Sequence, residues 1–345
     1  VQVKDFLDKH KYTIDKQVDI TTQELLMREG LIQTYFPIDT YTDFDVMILR
    51  VRQNKQLAHI IGIDGEIPES KAGSMSMAIA QEIKIGRSHV YTESDMKLLK
   101  RWQENIRGIP DDVRDYFFGT AASHPQAILD THNLLCVQLM YSGTINYTDP
   151  ITEVAVSQTY PTESWQYPSA LSGGARWNQA TGNCLTNLRD HAREYRRRLG
   201  FTPDILINED TVDLMLEQTA VKEAALARKG VNLDTAGVAA YDVSIDELQD
   251  LLDVRRAGTL RIFDEKYEDF DGVEQFFMPE GYYAFAIPDM GDSGLMPVPS
   301  NNMASGIYVF SEELSKEPPK DRTVGVANTA IVVDDIRRLA GRKVY

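Results

Sequence analysis

The sequence predicts an α+β fold in two regions, and three observations point to it. Strand-like and helical segments alternate through the middle of the chain, from Trp165 to about Pro299. Extended, alternating segments occur at both ends, at 45–51 and 57–63 and at 307–310 and 324–333, so a second region is assembled from sequence far apart. Between them, Ile128, Leu129, Leu135, Cys136, Leu139 and Met140 recur at helical spacing, which predicts a helix with one broad apolar face. No period of 20–50 residues repeats, so solenoids and propellers are excluded.

Taken in order, residues 1–36 are charge-rich with one helical patch, TQELLMREGLI at 22–32. This segment reads as an arm that orders against another surface, or as an N-terminal helix packed on its own domain. DVMILRV (45–51) and LAHIIGI (57–63) have strand character. DGEIPESKAGSM (64–75) is rich in turn formers, and AIAQEIKI (78–85) resumes the alternation. Together they describe a long projecting hairpin, which buries too little of itself to stand alone and so implies a neighbouring surface. A helix is expected at 94–107, with Ser94 as N-cap and Leu98, Leu99, Trp102 and Ile106 as its apolar positions. Another helical segment covers 111–118, and Pro125 is expected to restart the main helix at a first-turn position. Gly143 should stop that helix, and residues 144–147 and 154–156 should pair around Asp149-Pro150.

After a Gly/Ser/Pro-rich crossing, residues 177–198 (WNQATGNCLTNLRDHAREYRRR) read as a helix closed by Gly200, with Pro203 beyond it. DILIN (204–208) reads as a short buried strand, followed by helical stretches at 209–218 and around 222–229. Ser244 stands three residues before Glu247, a capping-box pattern. Strands are expected at 259–263 and 282–287, flanking an acidic hairpin at 264–280, and again at 307–310 and 324–333.

Composition narrows the class. In 345 residues, 43% are apolar and 26% charged, the profile of a globular protein with room for one large or two ordinary domains. No apolar run approaches the roughly 18–20 residues that span a bilayer, so no membrane partner is expected, and the charged start VQVKDFLDKHK does not read as a signal peptide. The net charge of −16, from 52 acidic and 36 basic residues, argues against a sequence-independent nucleic-acid binder. It is compatible with a container whose wall does not hold DNA tightly, and equally with a solubility device.

Reaction machinery is not legible. The chain has no Gly-rich phosphate loop, zinc signature or nucleophile elbow. Ser172-Gly173-Gly174 lacks the Lys-Ser/Thr partner of a phosphate cradle, and Asp289-Met290-Gly291-Asp292 lacks the ligand alternation of a calcium loop. Cys136 and Cys184 are too few for a disulfide framework, and Cys136 reads as a small buried side chain. His10, His59, His89, His124, His132 and His191 form no metal-binding pair, and His132 is expected to be a satisfied core or interface imidazole. The carboxylates Asp242, Asp246, Glu247, Asp264 and Glu265 read as solvated faces. No catalytic residue, metal site or cofactor is expected. Arg189, Arg193 and Arg197 share one helical face at i, i+4, i+8, with Asp190 and Glu194 interleaved. Three readings stay open for them: intrahelical ion pairs, contact with acidic residues of a neighbouring subunit, and nucleic-acid contact.

The order of these features resembles the major capsid proteins of tailed bacteriophages, specifically the family of phage lambda's capsid protein (major capsid protein E), which share the Hong Kong 97-type fold. The residues that carry the resemblance are the arm TQELLMREGLIQTYFP, the hairpin ending KIGRSHVYTESDM, the helix running into LMYSGTINYTDP, the helix–strand–helix from Trp177 to Leu216, and the closing VGVANTAIVVDDIRRL. The resemblance implies an N-terminal arm at 1–36 and an extended loop at 51–86. It further implies a peripheral domain from 37–50, 87–164 and 300–345, with a spine helix at 125–141, and an axial domain at 165–299. It implies a non-enzymatic protein that self-assembles into pentamers and hexamers of a phage head enclosing double-stranded DNA, without sequence-specific binding. The expected place is the virion, assembled in the host bacterial cytoplasm, with a decoration or cement protein, portal and scaffold as partners. Glu66 and Lys71 at the loop tip, with Arg189, Arg193 and Arg197, are the expected subunit contacts. Lys–Asn isopeptide crosslinking, known in one branch of the fold, is not carried over, because no motif position identifies an Asn partner for Lys71. An encapsulin-like compartment shell and an unrecognised α+β hydrolase remain as alternatives.

Overall fold

The computed structural model describes residues 30–42, 46–52, 74–80, 82–103, 111–179, 181–231, 235–269, 271–316 and 319–345. Most of the expected arm, the expected strand 57–63 and the hairpin tip with Glu66 and Lys71 lie outside the described residues. The chain begins with α1 (Leu31–Tyr35), β1 (Ile38–Thr40), β2 (Val46–Arg52), β3 (Ser74–Ala80) and β4 (Ile83–Tyr91). The helices α2 (Glu93–Gln103) and α3 (Asp111–Ser142) follow, then the hairpin β5 (Thr144–Thr148) and β6 (Ala155–Thr159). Next come α4 (Cys184–Leu199), β7 (Asp204–Ile207), α5 (Glu209–Leu216), α6 (Thr219–Lys229), α7 (Thr235–Ala239) and α8 (Ile245–Val254). Strands β8 (Thr259–Ile262), β9 (Lys266–Glu268), β10 (Glu274–Phe276), β11 (Tyr282–Ala286) and β12 (Gly291–Val298) precede β13 (Ala304–Ser305), β14 (Tyr308–Lys316), β15 (Pro319–Val333) and β16 (Ala340–Lys343).

Two sheets organise the fold. In the first, β15 is central: one edge pairs with β12 and then β14, the other with β4, all antiparallel. Strand β1 extends the sheet by pairing parallel to β12. The second sheet has the order β16-β11-β7-β8, with β11 antiparallel to both neighbours and β7 parallel to β8. Sheet membership crosses the expected boundary at Pro299, since β12 belongs to the first sheet and β16 to the second.

Side chains alternate across the second sheet because successive strand residues point to opposite faces. Leu206, Ala284 and Ala286 join an apolar cluster with α1, α3 and the first sheet. Ile205, Ile207, Tyr283 and Phe285 join a second cluster with α4, α5, α6 and α8. His191 of α4 bridges this second core, with Nε2 3.0 Å from the Trp165 carbonyl and Nδ1 2.8 Å from the Tyr283 hydroxyl. The carbonyl can only accept, so Nε2 carries the proton and Nδ1 accepts from tyrosine.

The long helix differs from expectation at Pro125. Residues 111–142 form one helix with Pro125 buried inside it, not two segments. A proline removes one hydrogen bond from the ladder, but packing governs helix stability in proteins. Here Phe117, Ala121, Ile128 and Leu129, on both sides of the proline, are buried. All six residues of the expected apolar face are buried. Gly143 ends the helix at φ +73°, its N–H donating to the Leu139 carbonyl at 2.8 Å. The expected hairpin follows as β5–β6, latched back to the helix by Gln138, whose amide exchanges two hydrogen bonds with the Asn146 backbone at 2.8 and 3.1 Å.

Other boundaries move for identifiable reasons. Ser94 is not the N-cap of α2. The helix begins at Glu93, and the Asp95 carboxylate accepts the backbone N–H and hydroxyl of Thr92 at 2.8 and 2.9 Å. Leu98, assigned to its apolar face, is 41% exposed. The expected strand 78–85 is two strands: β3 pairs with β2, whereas β4 leaves to join β15. Helix α4 starts at Cys184, not Trp177, because Asn183 caps it by accepting from the Thr186 N–H at 3.0 Å. Trp177 instead anchors the crossing segment, stacked on Tyr283 with ring centroids 5.5 Å apart. Ser244 caps α8 as expected, but the Glu247 carboxylate turns to Lys229 and Tyr241 rather than completing a capping box.

His132 corrects a further expectation. It is fully buried on α3, yet neither ring nitrogen has a hydrogen-bond partner among the described residues. Burial lowers the pKa of His132 to about 4, and it also lowers those of His124 and His191 to about 4.

Two predictions follow from this packing. A Cβ at Gly341 of β16 would lie 2.7 Å from the Tyr141 carbonyl oxygen and 2.9 Å from that of Tyr283, both backbone atoms. Gly341→Ala is therefore expected to destabilise the fold by about 2 kcal/mol, read as a lowered thermal midpoint. Because the folded-state histidine pKa lies below its unfolded value of 6.5, the unfolded chain binds more protons between those values. Stability should fall as pH drops from 6.5 toward 4, by at most about 3 kcal/mol for His132 alone. Denaturant melts of His132→Leu against the parent at pH 7 and pH 4.5 should show a smaller loss in the variant.

Candidate interaction surface

Helix α4 divides its sequence cleanly between two faces. Cys184, Leu185, Leu188, His191, Ala192 and Tyr195 are buried against the second sheet. That leaves Arg189, Arg193 and Arg197 exposed on the opposite side. The helix is held in register at both ends: Gln218 accepts the Cys184 N–H at 2.8 Å, and Gly200 closes the last turn at φ +84°. Arg196, Arg197 and Arg198 stand in that last turn, where positive charge complements the helix dipole.

The three arginines singled out by spacing have different partners. Arg189 pairs with Asp190 through two nitrogens at 2.9 and 3.0 Å. Arg197 approaches Glu194 only to 3.8 Å, with its side chain 81% exposed. Glu194 is held more closely by Arg198 at 2.7 Å, which also reaches Glu163 at 3.0 Å and lies over the Trp165 ring. Arg193 has no ion pair or hydrogen bond among the described residues. Spacing did not single out Arg196, whose Nη1 is buried without an acceptor. Desolvation, then the charges of Arg256 and Arg193, holds its pKa below the usual arginine value. This face thus carries positive charge that its own carboxylates do not neutralise.

The acidic hairpin stands on the other side of the second sheet. Its turn is built by Asp269, whose Oδ1 accepts the N–H groups of Asp271 and Val273 at 3.0 and 2.9 Å, with Gly272 at φ +77°. Its root is held by Tyr267, Phe277 and Phe263, which pack with the α3 cluster. Glu268, Asp271 and Glu274 are exposed, and Lys266 approaches Glu274 at 3.6 Å.

Groups that bind small molecules are not evident among the described residues. No cluster of three or more potential metal ligands occurs there, and no helix there is long and apolar enough to cross a membrane. An apolar cavity between α1 and α3, lined by Ile32, Tyr35, Val137 and Met140, has a volume of about 10 Å³, near the size of one water. Cys136 and Cys184 are buried free thiols whose pKa is raised by desolvation, which keeps them protonated and unreactive.

No family model and no curated protein matches the chain. Among solved structures it is similar to the putative capsid protein of a prophage of E. coli CFT073, with a TM-score of 0.57 and 12% identity over 98% of both chains. It is also similar to a phage-related protein from Bordetella bronchiseptica RB50, with a TM-score of 0.51 and 10% identity over 94% of this chain and 96% of that one. At such identities the likeness is one of fold. The chain has the mixed helix-and-sheet Hong Kong 97-type fold that its element order led us to expect.

Proposed function

We propose that this chain is a structural subunit that self-assembles into the hexamers and pentamers of a phage head enclosing double-stranded DNA. The observation that carries this reading is the end-to-end likeness to a putative prophage capsid protein, covering 98% of both chains. The location is the virion, with assembly in the bacterial cytoplasm, and the resemblance to the lambda group supplies the narrower family. The expected portal, scaffold and decoration partners belong to this same reading.

The division into parts is proposed on the same footing. Residues 1–36 serve as an arm and 51–86 as the extended loop, whose two sides begin as the paired strands β2 and β3. The peripheral part is built from 37–50, 87–164 and 300–345 around α3, and the axial part is 165–299, which supplies three of the four strands of the second sheet. A closed shell multiplies modest contacts, so interfaces of roughly 1,600 Å² or less suffice at each junction. Contact elements that order on binding offset part of their own attraction, which keeps junctions reversible enough to correct errors.

Negative-stain microscopy of the purified protein tests the reading. Uniform shells tens of nanometres across are expected, and a monodisperse monomer or dimer would overturn it. Nuclease-protected DNA within native particles supports a phage head, whereas a protein cargo would reassign the chain to a compartment shell. Deleting residues 66–73, the tip that carries Glu66 and Lys71, should leave the thermal midpoint of the subunit nearly unchanged and impair shell formation. Fully stable shells from that deletion would remove the loop tip from the set of contacts.

A further inference from the structure

We propose that the arginine face of α4 in one copy docks onto the acidic hairpin, residues 264–280, of a neighbouring copy, forming a head-to-tail contact that closes a ring. This inference rests on the self-assembly reading and names the surfaces that carry one class of junction.

The two surfaces are complementary in charge. The hairpin segment holds seven acidic residues and one lysine. Arg189, Arg193, Arg196, Arg197 and Arg198 of α4 stand against Asp190 and Glu194 on the same helix. Within one chain the surfaces do not meet. Helix α4 packs with Ile205, Ile207, Tyr283 and Phe285 on one face of the second sheet. The hairpin root packs with Leu206, Ala284 and Ala286 on the other. Two different patches on opposite sides of one subunit make a heterologous contact, and repetition of such a contact closes a ring when the rotation allows.

Each surface has room for a partner. Arg193 has no ion pair or hydrogen bond among the described residues, and the Arg197 side chain is 81% exposed. On the hairpin, Glu268 and Asp271 are exposed, and Val273 at the turn is 50% exposed. The arginine face is also interleaved with Asp190 and Glu194, which would repel a phosphate backbone but suit a protein surface of mixed sign. Exposed ion pairs are individually weak, so the expected role is orientation and exclusion of wrong partners.

Reciprocal charge reversal provides the test, using the full chain. Arg193→Glu with Arg197→Glu should cut the yield of shells at least tenfold while the subunit still melts at its normal temperature. Glu268→Arg with Asp271→Arg should do the same. Combining all four changes in one chain, so that every junction has both charges reversed, should restore assembly to within a few-fold of the parent. Normal shells from either reversed variant, or no recovery on combination, would overturn the proposal while leaving self-assembly intact. Normal shells that lose their DNA would assign the arginine face to nucleic acid and overturn it as well. A parent that never forms shells would sink both this inference and the reading beneath it.

Discussion

Strand β15 is paired on one edge with β14 and β12 and on the other, over residues 321–329, with β4, so its buried backbone groups find partners only if two distant segments and its own hairpin partner arrive in the right register. Residues 83–91 supply one edge, and residues 291–296 and 308–316 supply the other. The long helix crosses this strand closely enough that a Cβ at Gly325 would lie 2.5 Å from that of His124. Tyr160, just past the β5–β6 hairpin, donates to the Ile331 carbonyl at 2.8 Å. Every other part of the first region is thus referenced to one strand whose hydrogen bonds leave it little freedom to shift.

The second sheet works as a partition. Its alternation sends Leu206 and Ala284 toward the long helix, and Ile205 and Phe285 toward the arginine-bearing helix. The same alternation separates two surfaces of opposite sign. Tyr35 ties the layers together, its hydroxyl donating to Asp204 at 2.8 Å. Burial and that neighbouring carboxylate raise the Tyr35 pKa, so the phenol stays protonated as a donor. Polar groups inside the molecule therefore act as fasteners between layers, while charge is displayed outward on α4 and the hairpin.

Elements with strong local patterns were legible in the sequence. The long helix, the Gly143 stop, β7, the Ser244 cap and the hairpin at 264–280 all follow from periodicity and turn chemistry. Strands β12 and β16 were not found, because tertiary approach decides their residues. Strand β12 reads GDSGLMPV, with two glycines and a proline that argue against a strand when read alone. A Cβ at Gly291 would meet the Val332 carbonyl oxygen at 2.1 Å, and one at Gly294 would meet the Tyr41 ring at 2.8 Å. Pro125 misled for the converse reason, since its local helix-breaking tendency is overridden by packing on both sides. On the candidate surface, the i, i+4, i+8 spacing found Arg189, Arg193 and Arg197, which the helix presents outward. It missed Arg196, whose relevance depends on burial beside Arg256, and no linear pattern reports that.

The crossing between the two regions is stitched to β16 by backbone bonds. Leu171 N–H donates to the Lys343 carbonyl at 3.1 Å, Trp177 N–H to that of Val344 at 3.1 Å, and Gly341 N–H to that of Gln166 at 2.9 Å. The side chain of Gln166 also donates to the Ile336 and Leu339 carbonyls at 2.7 and 2.6 Å. Strand β7, near residue 205, and the crossing therefore leave the ribosome long before the strand that completes their sheet. At a synthesis rate of about 5–20 residues per second, that interval lasts on the order of ten seconds. Through that interval the nascent chain lacks one edge strand of its second sheet and the backbone acceptor of Trp177. On the proposed self-assembly reading, the second sheet of each subunit is finished only after residue 343 has been made, so the surfaces it carries take their final form last.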